Sequence, residues 1–237
     1  MNKTLAIAAL AATAGLSQAA IITQWNFNSN PADASTATGN TAPALGTGTI
    51  SVFGGATQNF ASGNSSSDPV TVDDSGYNTT AYQANPTTGP VSPVELRGVS
   101  VAVSTALYQD IIINFDWRTS NTASDLLRVD YSIDGGVNWT LGPVFDSGGG
   151  DTWNNGLAVD LSSDASADNN ANLVVRFVPV VDSATGRYRA ANPTSSYAGT
   201  GTFRYDMITI NGTLIPSPGA LALAGVGGLL CARRRRK

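Results

Sequence analysis

Two aspartates offer the chain its best opening for acid–base chemistry. Asp116 in "IIINFDWR" and Asp130 in "LLRVDYSI" both fall at polar positions of strand-like runs. Hydrolysis of a glycosidic bond needs two carboxyls roughly 5 to 9.5 Å apart, one of them with a raised pKa. Arg118 and Arg128 flank these acids, and Arg176, Arg204 and Asp206 occupy similar polar positions on later runs. Guanidinium groups at that range hold a carboxyl pKa down, the wrong direction for a general acid. Alternating signs on one sheet face read more simply as cross-strand ion pairs, each contributing a few tenths of a kcal/mol up to about 1. The chain has no His, and its single Cys, Cys231, lies near the end. Common zinc sites and the Cys–His and Ser–His–Asp arrangements are therefore excluded. The expectation is a protein that is not an enzyme, with a jelly-roll glycoside hydrolase using paired Asp as the catalytic alternative.

Aromatic side chains point to binding instead, because an exposed ring presents an apolar face beside polar groups. Trp25 and Trp117 fall on apolar strand faces and read as core, whereas Trp153, Tyr188 and Tyr197 lie in turn-rich stretches, where function is more often carried. Those three are the candidate ligand-binding residues; the alternative is that they cap the open ends of the fold. Between Lys3 and the terminal cations the chain holds seven arginines against seventeen acids, sixteen of them Asp. Such a balance disfavours nucleic acid and anionic membrane surfaces and favours solubility, cation binding or both.

The elements that must position these residues are strands. "IITQWNFN" puts Ile21, Thr23, Trp25 and Phe27 on one face, and the same period of two returns at Val99, Val101 and Val103, at Ile111 to Trp117, at Leu127 to Ile133, and at Leu173, Val175 and Phe177. In "TFRYDMITI" the apolar parity switches between Met207 and Ile208, which predicts a β-bulge. Gly-, Ser-, Asn-, Asp- and Pro-rich stretches such as "SNPADASTATGNTAPALGTG" and "DSGGGDTWNNG" separate the runs. The fold class is all-β, an antiparallel β-sandwich of the jelly-roll kind with roughly eight to ten strands and one core. Helical patterns occur only at the two ends.

Those ends carry an address. "MNKTLAIAALAATAGLSQAA" has a cationic start, an apolar run and a small-residue exit, the layout of a secretory signal peptide over 1–19, with Ala20 opening the mature chain. The sandwich domain is expected over 20–214. The remainder, 215–237, is "IPSPGALALAGVGGLLCARRRRK". Its apolar part, 219–232, makes roughly 21 Å of helix against a hydrocarbon core of about 30 Å. The closing cations would be held on the cytoplasmic side, so the segment would brake export of a chain whose body is already outside.

Pro216 and Pro218, the Ala220 to Leu230 segment and Arg233, Arg234, Arg235 and Arg236 together resemble the PEP-CTERM sorting signal, with Ser217 where that family usually has Glu. The resemblance implies processing by an exosortase-type membrane enzyme after passage through the export machinery, with transient inner-membrane anchoring. It also implies release to the cell surface or an extracellular matrix, with exopolysaccharide as a partner. The phrases "AIITQWNFN", "FDWRTSNTAS", "YSIDGGVNW", "GDTW" and "TFRYDMITI" are similar to a body found in many PEP-CTERM proteins. "SIDGGVNW" also resembles the Asp box of sialidase propellers through Ser132, Asp134, Gly136 and Trp139; occurring once, it implies a hairpin turn and no sialidase chemistry. Gln24 and Asp206 occupy places similar to the first-strand and last-strand ligands of the structural calcium in carbohydrate-binding jelly rolls. That likeness implies a Ca2+ site and a calcium-stabilised carbohydrate-binding module as the alternative to a matrix protein.

Overall fold

The computed structural model describes residues 19–216. The expected signal helix and the expected sorting helix, with Pro218 and Arg233 to Arg236, lie outside the described residues; Pro216 is exposed. The chain forms β1 (Ala19–Trp25), β2 (Thr49–Phe53), β3 (Thr57–Ser62), β4 (Ser75–Thr80), β5 (Gly98–Val103), β6 (Tyr108–Thr119), β7 (Leu126–Ser132), β8 (Val144–Asp146), β9 (Trp153–Asp160), β10 (Leu173–Pro179) and β11 (Phe203–Leu214). These eleven strands exceed the expected eight to ten; β3 and β4 are built largely from polar residues and glycine without apolar alternation, and β9 shows it only at Leu157 and Val159.

The strands form two antiparallel sheets. One is ordered β3-β4-β11-β6-β9 with β1 also on β11, the other β2-β5-β10-β7-β8. From β4 onward the chain crosses repeatedly between them, so that β4-β11-β6-β9 packs against β5-β10-β7-β8. That is the strand order of a jelly roll. The inward faces supply the core: Trp25, Ile113, Phe115, Trp117, Val129, Val175, Phe177, Phe203 and Tyr205 are all essentially inaccessible. Phe115 meets Phe177 edge-on at 5.0 Å, and Phe177 lies 5.4 Å from Tyr205 across the sheets. Each such burial contributes about 1.5 to 3 kcal/mol. Tyr131 is half-buried rather than central, its hydroxyl reaching out to donate to Asp164.

Strand β11 positions the site. Its first residues, Phe203 to Tyr205, pair with β4, and its later ones, Ile208 to Thr213, pair with β1. Two short strands thus lie in tandem along one edge of a single long one. At the junction the β11–β6 register shifts between Asp206 and Thr209, and Met207 has a φ of 47°. The bulge expected at Met207 is present. It returns Ile208 and Ile210 to the core and leaves Asp206 aimed at the outer face.

Candidate metal centre and adjoining cleft

Asp206 is met at the junction by two acids of the 63–74 connection between β3 and β4. Side-chain oxygens of Asp68, Asp74 and Asp206 all lie within 4.8 Å of one another. Asp74 immediately precedes β4, which brings it to the bulge. Asp68 is set by Val70 N–H donating to its Oδ1 (2.9 Å) and by Asn28 Nδ2, just beyond β1, donating to its Oδ2 (2.8 Å). Asn28 Oδ1 accepts in turn from Ser75 N–H (2.9 Å). The ends of β1 and β4 and the bulge of β11 thus converge on one cluster.

The cluster lacks the partners its burial requires. Asp206 is fully buried and Asp74 nearly so. Met207 N–H donates to Asp206 Oδ1 (2.7 Å), yet Oδ2 of Asp206 and Oδ1 of Asp74 are buried without any hydrogen-bond donor. A Cβ on Gly63 would overlap both of those oxygens; they point into one space, and only glycine leaves it free. Burial drives the Asp206 pKa up to about 9, opposed by hydrogen bonds from Ser66 and Met207 and reinforced by the charges of Asp68 and Asp74. Burial, with the Asp68 charge behind it, raises Asp74 to about 6. A buried carboxylate with no donor costs several kcal/mol unless a cation compensates it. Calcium takes oxygen ligands at 2.3 to 2.6 Å, so the oxygens around it sit up to about 5 Å apart, the span observed here. The residues fit a hard divalent cation.

Beside the cluster, the 63–74 connection lies as a strap over the outer face of the first sheet. Ser67 N–H donates to Asp116 Oδ2 (2.5 Å), while Gly156 N–H donates to Asp116 Oδ1 (2.7 Å). The strap carbonyls of Asn64 and Ser65 accept from Trp153 Nε1 and Asn155 Nδ2, both at 2.9 Å. Ser62 O accepts from Arg204 Nη1 at 2.6 Å. A cleft of about 440 Å³ opens here, lined by Ser62, Asn64, Arg118, Asp151, Trp153 and Arg204 among others. Arg204, Arg118 and Trp153 in its lining are directly opposed across β11, β6 and β9, and Asn78 and Asn59 continue the row across β4 and β3.

The acids expected to pair do not meet. Asp116 is on β6 and Asp130 on β7, which belong to different sheets, so the two point from opposite outer faces and cannot flank one bond. Consecutive strands of a sandwich need not be neighbours, which the alternation alone does not reveal. Asp130 is fully buried, holding Arg128 (2.6 Å) and Arg176 (3.0 Å), with Arg176 directly opposite it across β10–β7. Trp139 stacks 3.9 Å over Arg176 on that face. The turn before it follows the Asp-box reading: Asp134 accepts from Val137 and Asn138 N–H, and Gly135 and Gly136 take positive φ.

Of the three candidate aromatics, Trp153 opens β9 and lines the cleft. Tyr188 and Tyr197 stack on each other at 4.9 Å, with Tyr188 buried and the Tyr197 hydroxyl donating to Gln83 O. The structure does not join them to Trp153 through the cleft. Asp206 lies in the acidic cluster, and Gln24 sits opposite Thr209, to whose hydroxyl its amide donates (3.0 Å). The sequence does not single out Asp68 and Asp74, because "SSSDPVTVDDSG" reads as turn; its three acids between two strands are the available signal.

No family model matches the chain, and no curated protein matches it. Among solved structures, the family 22 carbohydrate-binding and family 10 modules of Clostridium thermocellum xylanase 10B are similar over 83% of this chain and 30% of that one. The identity is 10% and the TM-score 0.45. The family 11 carbohydrate-binding module of Clostridium thermocellum is similar over 83% and 100%, at 12% identity and a TM-score of 0.38. The K1 cleaved adhesin domain of Porphyromonas gingivalis Lys-gingipain is similar over 71% and 99%, at 11% identity and a TM-score of 0.35. At this identity and overlap the likeness does not reach beyond the outline of a β-sandwich.

Proposed function

We propose that the chain is an exported, non-catalytic glycan-binding β-sandwich, stabilised by a calcium ion held by Asp68, Asp74 and Asp206. The observation that supports binding is the Arg204–Arg118–Trp153 row lining the cleft beside the strap on one outer face. Of the carboxyls with raised pKa, Asp74 and Asp206 are buried at the strap, and Asp125, raised by burial, is nearly buried and held by Arg189, which also binds Asp146 beside it. The acid in the cleft, Asp151, is held by Arg118 and Asn121. Neither set resembles the open, spaced pair that glycoside hydrolysis requires. Export, exosortase-type processing at Pro216 and Pro218, and residence in an exopolysaccharide-containing matrix complete the reading. They rest on the two terminal sequences.

Screening the purified exported protein against immobilised polysaccharides, while assaying reducing ends, tests the proposal. Binding without sugar release, abolished by Trp153→Ala with the circular-dichroism spectrum unchanged, is expected. Release of sugar, or no binding to any polysaccharide, overturns it.

A further inference from the structure

We infer that the cleft selects an anionic glycan, one bearing uronate carboxylates or sulfate esters, which Arg204 and Arg118 grip while a sugar ring lies on Trp153. The inference rests on the glycan-binding reading and names its ligand class. Arg204 and Arg118 face each other directly across β11 and β6. Like charges so placed repel unless an anion joins them. Arg118 gives one N–H to Asp151 Oδ1 (2.9 Å). Arg204 gives its contacts to neutral acceptors, Ser62 O and, at 3.5 Å, Asn78 Oδ1.

The other arginines are committed elsewhere. Arg97 pairs with Glu95, Arg128 and Arg176 with Asp130, and Arg189 with Asp125, Asp146 and Asp182. Arg187 is spent on the carbonyls of Pro86 and Gly89. Among the described residues the cleft therefore sets two guanidinium groups against one carboxylate, where seventeen acids face only seven arginines in all. A guanidinium keeps a planar fork of N–H donors that matches a carboxylate or sulfate edge. Trp153 stands two strands from Arg204, about 10 Å away by strand spacing. A ring stacked on the indole leaves the next sugar unit over the arginines. Trp153 is fixed for this by its Nε1 bond to Asn64 O.

Isothermal titration of the exported protein with a tetra-uronate, a sulfated tetrasaccharide and neutral xylo- and gluco-tetraoses tests it. The expected result is affinity for one acidic oligomer at least about tenfold above both neutral ones, weakening as salt rises. Which acidic arm wins distinguishes carboxylate from sulfate. Arg118→Gln should remove most of that preference, and Arg204→Lys, which keeps charge without the fork, should reduce it with the melting temperature unchanged. Equal or tighter binding of the neutral oligomers overturns the anionic class while leaving the glycan reading intact. Acid preference untouched in both arginine variants also overturns it. Failure to bind any of the four, or any longer polysaccharide, removes both.

Discussion

Asp206 is a carboxyl whose surroundings resist its charge, and its response to pH and cations follows from that. In the unfolded chain an Asp releases its proton near pH 4. In the folded protein Asp74 holds on to about 6 and Asp206 to about 9. Between those limits the folded state binds more protons than the unfolded one, so without cation stability falls as pH rises from about 4 towards 9. Calcium requires the ionised oxygens, so its stabilisation grows over the same window. In EDTA the melting temperature is expected to drop between pH 5 and 8.5, and millimolar calcium should restore it most at the alkaline end. Asp206→Asn separates this from ordinary packing. Its neutral amide should make the protein at least as stable as wild type in EDTA at pH 8, and less stable in calcium. A variant equally destabilised in both solutions, or a wild type indifferent to EDTA at pH 8, would overturn the cation site. The sequence alone makes Asp206 legible as a late-strand acid. Its companions are not legible, because their convergence depends on two strands ending opposite one bulge.

At the level of elements, the strap couples the two halves of the site. Its 63–74 residues would supply Asp68 and Asp74 to the proposed cation, while Asn64 O and Ser65 O accept from Trp153 at the cleft and from Asn155 beside it. Strand β4, which the strap precedes, is buried over most of its length although its sequence is Ser-Gly-Tyr-Asn-Thr-Thr. Periodicity could not reveal it, since its polar groups are satisfied by neighbours such as Asn59 and Phe203 O rather than by water. The apolar strands β5, β6 and β10 were legible for the opposite reason: one of their faces is core. Gly63 tests the coupling. A methyl group there would press on the two orphaned oxygens, so Gly63→Ala should weaken calcium binding by about tenfold or more, as loss of roughly one charge-assisted contact would. It should also speed amide exchange in the strap and lower glycan affinity together with calcium affinity. Unchanged exchange in the strap on chelation would show that the cleft is built without the ion.

At the scale of the molecule, β11 joins the site to the chain ends. Ala19 pairs with Thr213 at one end of β11, while Arg204 lies at the other, roughly 30 Å away at strand rise. Ala19, the first described residue, therefore lies at the end of β11 away from the cleft. On the proposed sorting reading, a body held at the membrane through its C-terminal side would turn the cleft outward, so ligand could be captured whether or not a tail had been removed. That arrangement makes processing and binding separable. Intact mass of the protein recovered from the cell surface or culture fluid is expected to show a start near Ala20 and loss of the residues beyond Pro218. The same species should bind glycan as tightly as a membrane-retained form solubilised before cleavage. A surface species still carrying Arg233 to Lys237 would refute the sorting signal. Binding that appears only after cleavage would show instead that the tail reaches the cleft, against the roughly 30 Å that separates them along β11.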